Sequence, residues 1–148
     1  MNRRLQIRRS LLRLARFREL TAIQKLAEDL VAHRDDIAKR ELEQDKYAAV
    51  LAHYAKAMSP GDRLQLSRYE TFEALSRAGE ARLERATQRT DESHAAVKEA
   101  SARLHEANER KDTFEDRLRQ LKGHLRTEAA SHEQTLLMET WLRTRSTR

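Results

Sequence analysis

Apolar residues recur along this chain at seven-residue steps, and the recurrence lasts long enough to define an architecture. Counting from Leu20, the positions Leu20, Ala27, Arg34, Glu41, Ala48 and Ala55 are joined three residues later by Ile23, Leu30, Ile37, Gln44, Leu51 and Met58, and nine of these twelve are apolar. In the second half, Leu83, Thr90, Val97, Leu104, Lys111, Leu118 and Leu125 alternate with Ala86, Ser93, Ala100, Ala107, Phe114 and Leu121, and ten of these thirteen are apolar. A strict heptad held this long supercoils a helix to the left against a partner helix, rather than facing it onto a globular core. Both stripes are therefore expected seams, with Leu30, Ile37, Leu51, Leu83, Val97, Leu104 and Leu118 packed inside.

Between the stripes stands Ser59-Pro60-Gly61-Asp62, the one strong break in the chain. Pro60 at a first helical position, capped by Ser59, starts a new helix there. Two long helices joined by a short turn lie antiparallel. The predicted fold is all-α, an antiparallel two-helix coiled-coil hairpin with a short tip segment, read as a single domain over 1–148. Helix one is expected over about 2–57, the tip over about 58–68 as a short helical cap, and helix two over about 69–144. Gly79 and Gly123 stand alone within helical pattern and read as tolerated interior glycines, each costing about 1 kcal/mol relative to Ala, with Gly123 a candidate bend.

The polar interruptions suggest a register. If Arg34 faces Thr90 or Ser93, paired residue numbers add to about 125. Arm two then runs past the start of arm one by about 20 residues, or about 30 Å. The overhang holds Leu136, Leu137, Met138, Trp141 and Leu142. Burying one such side chain is worth about 1.5–3 kcal/mol, so the cluster is costly to leave in water. It reads either as a self-associating or frayed tail or as the contact for a protein partner that receives the paired basic termini.

Composition agrees with a thin seam. Charged residues make up 36%, aromatic residues 5% and apolar residues 39%, with a mean hydropathy of −0.90. Three Gly and one Pro leave too few breakers for a β-rich or α/β fold. The absence of Cys excludes disulfides and thiolate chemistry. No apolar run approaches the length of a membrane span or a secretory signal core. The Arg-rich start mimics a transit peptide but runs unbroken into the helical pattern, so a cytoplasmic location is expected.

The net charge of +6 is unevenly placed. Residues 1–18 carry seven Arg and no acid, residues 141–148 carry Arg143, Arg145 and Arg148, and the body between them has a net charge of −4. Seven Arg on one helix could neutralise phosphates, but Leu5, Ile7, Leu11, Leu12, Leu14 and Phe17 interleave them and no aromatic stacking platform appears. A basic amphipathic helix on a membrane surface is a further alternative.

Catalytic constellations are missing. His105-Glu106 and His132-Glu133 open like a zinc-protease helix, yet Glu109 and Leu136 stand where its second His belongs. Asp91-x-x-His94 is the nearest approach to a di-metal pair on a bundle. There is no Gly-rich phosphate loop and no nucleophile elbow. The chain reads as a non-enzyme, with no catalytic, cofactor-binding or metal-binding residue expected.

The basic start RRLQIRRSLLRLARFREL, a first helix ending near Tyr47 to Met58, a short tip and a longer second helix ending HEQTLLMETWLRTR resemble, over the whole chain, the FliJ and SctO (YscO-like) family. These are coiled-coil stalk proteins of type III export. Flagellar members often carry an Asp-Glu pair near Met138-Glu139, and only Glu139 matches, which leans toward the injectisome branch. The resemblance implies a hairpin similar to the central stalk of rotary ATPases, cytoplasmic and peripherally associated with the export apparatus at the inner membrane. It implies as partners the hexameric export ATPase and an export gate protein, with export chaperones as further candidates, and no cofactor or nucleic acid. Carried over, the ATPase-binding end is Arg3, Arg4, Arg8, Arg9, Leu136, Leu137, Trp141 and Leu142, and the gate-contacting positions are Phe72 and Leu75. For Phe72 plain seam packing is the competing reading. The competing class is a generic coiled-coil interaction module or a basic nucleic-acid-binding hairpin.

Overall fold

The computed structural model describes residues 3–57 and 66–146, and it is entirely helical there. Helix α1 (Arg3–Ala57) and helix α2 (Leu66–Ser146) pack against each other as a hairpin, as the two stripes and single break predict. The expected turn at Ser59 to Asp62 lies outside the described residues. Residues 66–68, expected in the tip, already belong to α2. The chain divides into two units: Ile23–Arg103, and Met1–Ala22 with Leu104–Arg148.

In the unit Ile23–Arg103, α2 turns its expected stripe inward. Leu83, Ala86, Thr90, Ser93, Val97 and Ala100 are each buried or half-buried, and Phe72, Ser76 and Gly79 continue the line toward the start of the helix. Helix α1 does not follow its expected stripe. The inward positions are Leu26, Asp29, His33, Asp36, Arg40, Glu43, Tyr47, Val50 and Tyr54, each one residue before the expected seam residue. Leu30 is 47% exposed, Leu51 39% and Ile23 45%, and of the expected α1 seam only Ile37 is half-buried. One residue on a helix is a rotation of about 100°, enough to move a whole stripe from the seam to its flank.

The cross-helix contacts show what selected this face. The Tyr54 ring lies 3.7 Å from that of Phe72, and the Tyr54 hydroxyl donates to the Arg68 carbonyl at 2.7 Å. Glu43 pairs with Arg82 at 3.7 Å. The Thr90 hydroxyl donates to the Asp36 carbonyl at 3.3 Å, and His33 Nδ1 shares a 2.9 Å hydrogen bond with Ser93 Oγ. Partners thus add to about 126, beside the expected 125, and the order is antiparallel. The expected facing of Arg34 with Thr90 or Ser93 is corrected to His33 and Asp36, and Arg34 is exposed. Gly79 is more than a tolerated glycine. It is buried, and a Cβ there would stand 3.0 Å from Tyr47 Cδ2, so the ring lies on bare backbone.

In the other unit, Leu5, Arg8, Leu12, Ala15, Glu19 and Ala22 of α1 face Leu104, Ala107, Lys111, Phe114, Leu118, Leu121 and Leu125 of α2. Leu12, Ala15 and Leu118 are buried, and Ala100 is the one other buried apolar residue of the described chain. Polar pairs tie the flanks. Lys111 Nζ reaches Glu19 at 3.0 Å with both side chains largely covered, Arg16 reaches Glu115 at 3.0 Å, and Arg8 Nη1 donates to the Arg117 carbonyl at 2.6 Å. Helix α2 stays helical through Gly123, where a Cβ would meet nothing within 4 Å. Past Leu125 every described residue to Ser146 is exposed. The seam line itself turns polar there, through Glu128, His132 and Thr135, so the overhang has no apolar stripe to offer α1.

Candidate interaction surfaces

Unpartnered apolar surface is the chemistry this chain offers. On the overhang of α2, Leu136 is 48% exposed, Leu137 and Met138 70%, and Trp141 and Leu142 56%. The threonine hydroxyls of the overhang are satisfied within the helix: Thr135, Thr140 and Thr144 each donate to the carbonyl four residues back. The Arg145 guanidinium lies 4.9 Å from the centre of the Trp141 ring, within cation–π range. An apolar face bounded by a cation is the result. All four overhang residues expected at the ATPase-binding end are on it or beside it.

The basic start, in the same unit, is less uniform than expected. Arg3, Arg4 and Arg9 are exposed, whereas Arg8 is half-buried and committed to the Arg117 carbonyl. Exposed beside them are Ile7, Leu11, Leu14 and Phe17, the last at 66%. These four were not among the expected contact residues. Their signal was present in the apolar residues interleaved with Arg, but Leu5 and Leu12 take the seam and leave the others outward.

Phe72 and Leu75, expected as gate contacts, are not brought together as one surface. Phe72 is half-buried with its ring on Tyr54, while Leu75 is 44% exposed. Among the described residues no three His, Asp or Glu gather so as to hold a metal ion, and no helix is long and apolar enough to cross a membrane. His33 and His94 do approach, with ring centroids 5.3 Å apart, but His33 is already bonded to Ser93. Two lysines are perturbed. The hydrogen bond to Glu19 holds Lys111 above its ordinary value of 10.5, and the hydrogen bond to Asp29 does the same for Lys25.

No family model, curated protein or solved structure matches this chain.

Proposed function

We propose that this chain is a non-enzymatic interaction protein, and specifically the central stalk of a type III secretion apparatus, injectisome or flagellar. In this reading it engages the hexameric export ATPase and links it to the export gate, working in the cytoplasm at the inner membrane. The observation that carries the proposal is the exposed Leu136–Leu142 cluster, held in one structural unit with the Arg-rich start. A large aromatic with a basic neighbour suits a binding hot spot, and Trp141 under Arg145 is the anchor. Arg3, Arg4 and Arg9 steer the hairpin toward acidic groups on the ring and act mainly on the association rate. Leu75 is the open contact for the gate, and Phe72 contributes only by leaving Tyr54.

The test is ATP hydrolysis by a cognate hexameric export ATPase, with and without the protein. Trp141→Ala should speed dissociation and abolish stimulation with helicity unchanged. Replacing Arg3, Arg4 and Arg9 with Glu, and leaving Arg8 on its carbonyl, should slow association at low salt and much less at high salt. The reason is that the Debye length falls from about 10 Å at 0.1 M to about 3 Å at 1 M. Stimulation equal to wild type by both variants would sink the stalk reading and leave a generic coiled-coil module.

A further inference from the structure

The apolar residues of the Arg-rich start serve two faces of α1, and the hairpin uses only one. Leu5, Leu12 and Ala15 turn to α2, while Ile7, Leu11, Leu14 and Phe17 are 51%, 40%, 46% and 66% exposed. At about 100° per residue, Ile7, Leu11 and Phe17 all fall within about 60° of Leu14, whereas Leu12 and Ala15 lie about 160° and 100° round from it. The four therefore form one stripe on the side of α1 turned away from the seam. The stalk reading gives them no role.

What surrounds the stripe decides what can cover it. Residues 1–18 hold seven Arg and no acid. Arg13 stands about 100° to one side of Leu14 and Arg4 about 80° to the other, and Arg3 and Arg18 stand at the two ends of the stripe. The first acid of the chain, Glu19, is held in the seam by Lys111, and Glu115 of α2 is held by Arg16. The outward face is thus apolar along its middle and purely cationic around it. An anionic lipid surface complements both parts at once. Its acyl chains take the stripe, and its headgroup phosphates take the guanidinium groups, which reach them along their own methylene stems. Nucleic acid would satisfy the Arg residues and leave four apolar side chains in water. Among the described residues no helix is long and apolar enough to cross a membrane, so α1 would lie along the surface and not span it. We propose that residues 3–18 are an interfacial anchor for anionic lipid, with Ile7, Leu11, Leu14 and Phe17 inserted and the flanking Arg residues on the headgroups. The inference goes beyond the stalk reading, since it needs neither ATPase nor gate, although Arg3, Arg4 and Arg9 serve in both.

The experiment is flotation of the full chain with vesicles of equal parts phosphatidylglycerol and phosphatidylcholine, and with vesicles of phosphatidylcholine alone. Circular dichroism is the folding control. At about 0.1 M salt wild type should bind the anionic vesicles about tenfold or more tighter than the neutral ones, and it should lose most of that margin at about 1 M. Ile7→Asn combined with Phe17→Asn should weaken binding to the anionic vesicles by about tenfold or more, because two side chains leave the acyl layer. Leu30→Asn, at an exposed leucine of the other unit, should leave binding unchanged. Since the chain has no Cys, a polarity-sensitive dye on Leu14→Cys should shift to the blue with anionic vesicles, and the same dye on Leu137→Cys should not. Failure to float, equal binding to neutral and anionic vesicles, or full binding by the Ile7 and Phe17 double variant would overturn the inference. So would a loss with Leu30→Asn as large as that of the double variant, or a blue shift at 137 as large as that at 14. Binding of a single-stranded oligonucleotide without binding of either vesicle would overturn it too, and assign the Arg residues to nucleic acid. Because no ATPase takes part, failure here leaves the stalk reading standing, and the converse also holds.

Discussion

Helix α2 faces the seam with the stripe its heptads announce, while α1 faces it with a stripe one residue away from its own. Both stripes on α1 keep the period of seven, so period alone does not choose between them. The chosen one is more polar, with Asp29, His33, Asp36, Arg40 and Glu43 in place of Leu30, Arg34, Ile37, Glu41 and Gln44. What it gains is complementarity. Its His33 meets Ser93, its Asp36 carbonyl meets Thr90, its Tyr47 lies on Gly79 and its Tyr54 stacks on Phe72. Among the described residues no buried side-chain nitrogen or oxygen is left without a partner. The lesson is that a small-residue seam on one helix can select large, hydrogen-bonding residues on the other over a more apolar alternative, because burying a polar group is costly only when it is unpaired.

The strongest way to break this comparison is to truncate one leucine on each helix. Leu118→Ala, at a site 8% exposed, should cost about 2–3 kcal/mol in urea unfolding, while Leu30→Ala, at a site 47% exposed, should cost about 0.5 kcal/mol or less. The opposite order would put the more apolar α1 stripe back in the seam.

A smaller effect separates the two glycines. Gly123→Ala should stabilise by about 0.5–1 kcal/mol through helix propensity, since nothing stands near its Cβ. Gly79→Leu should instead cost about 1–3 kcal/mol by displacing the Tyr47 ring. Equal melting shifts for the two would mean that Tyr47 does not lie on Gly79.

The smallest effect sharpens the polar side of the seam through pH. Lys111 is raised above 10.5 by its hydrogen bond to Glu19, so its charged form is favoured by folding. Its contribution is therefore complete below 10.5 and declines as pH rises through the folded value. The stability difference between wild type and Lys111→Gln should stay constant from neutral pH to about 10 and narrow above it. A difference that narrows toward acid instead would assign it to another group.

The candidate surfaces were legible to different degrees. Leu136, Leu137, Trp141 and Leu142 were legible as an apolar cluster off the seam line, which turns polar through Glu128, His132 and Thr135, and all four are exposed. Arg8 could not be placed, because its partner is a backbone carbonyl at Arg117 and leaves no mark in side-chain pattern. Phe72 sits where the heptad puts it, and only its ring contact with Tyr54 shows how far it is committed to packing.

The sequence by itself determined two long helices, their hairpin pairing, the face of α2 and, over Ile23–Arg103, a register within a residue; in the other unit Glu19–Lys111 and Arg16–Glu115 add to 130 and 131, about five beyond it. What it determined follows from period, from the single break and from the positions of polar interruptions, all of which are local or nearly so. Only the tertiary structure decided which face of α1 is inside. Two heptad stripes about 100° apart compete there, and the choice rests on fit to Gly79, Thr90 and Ser93 on the opposite helix, which no pattern within α1 encodes.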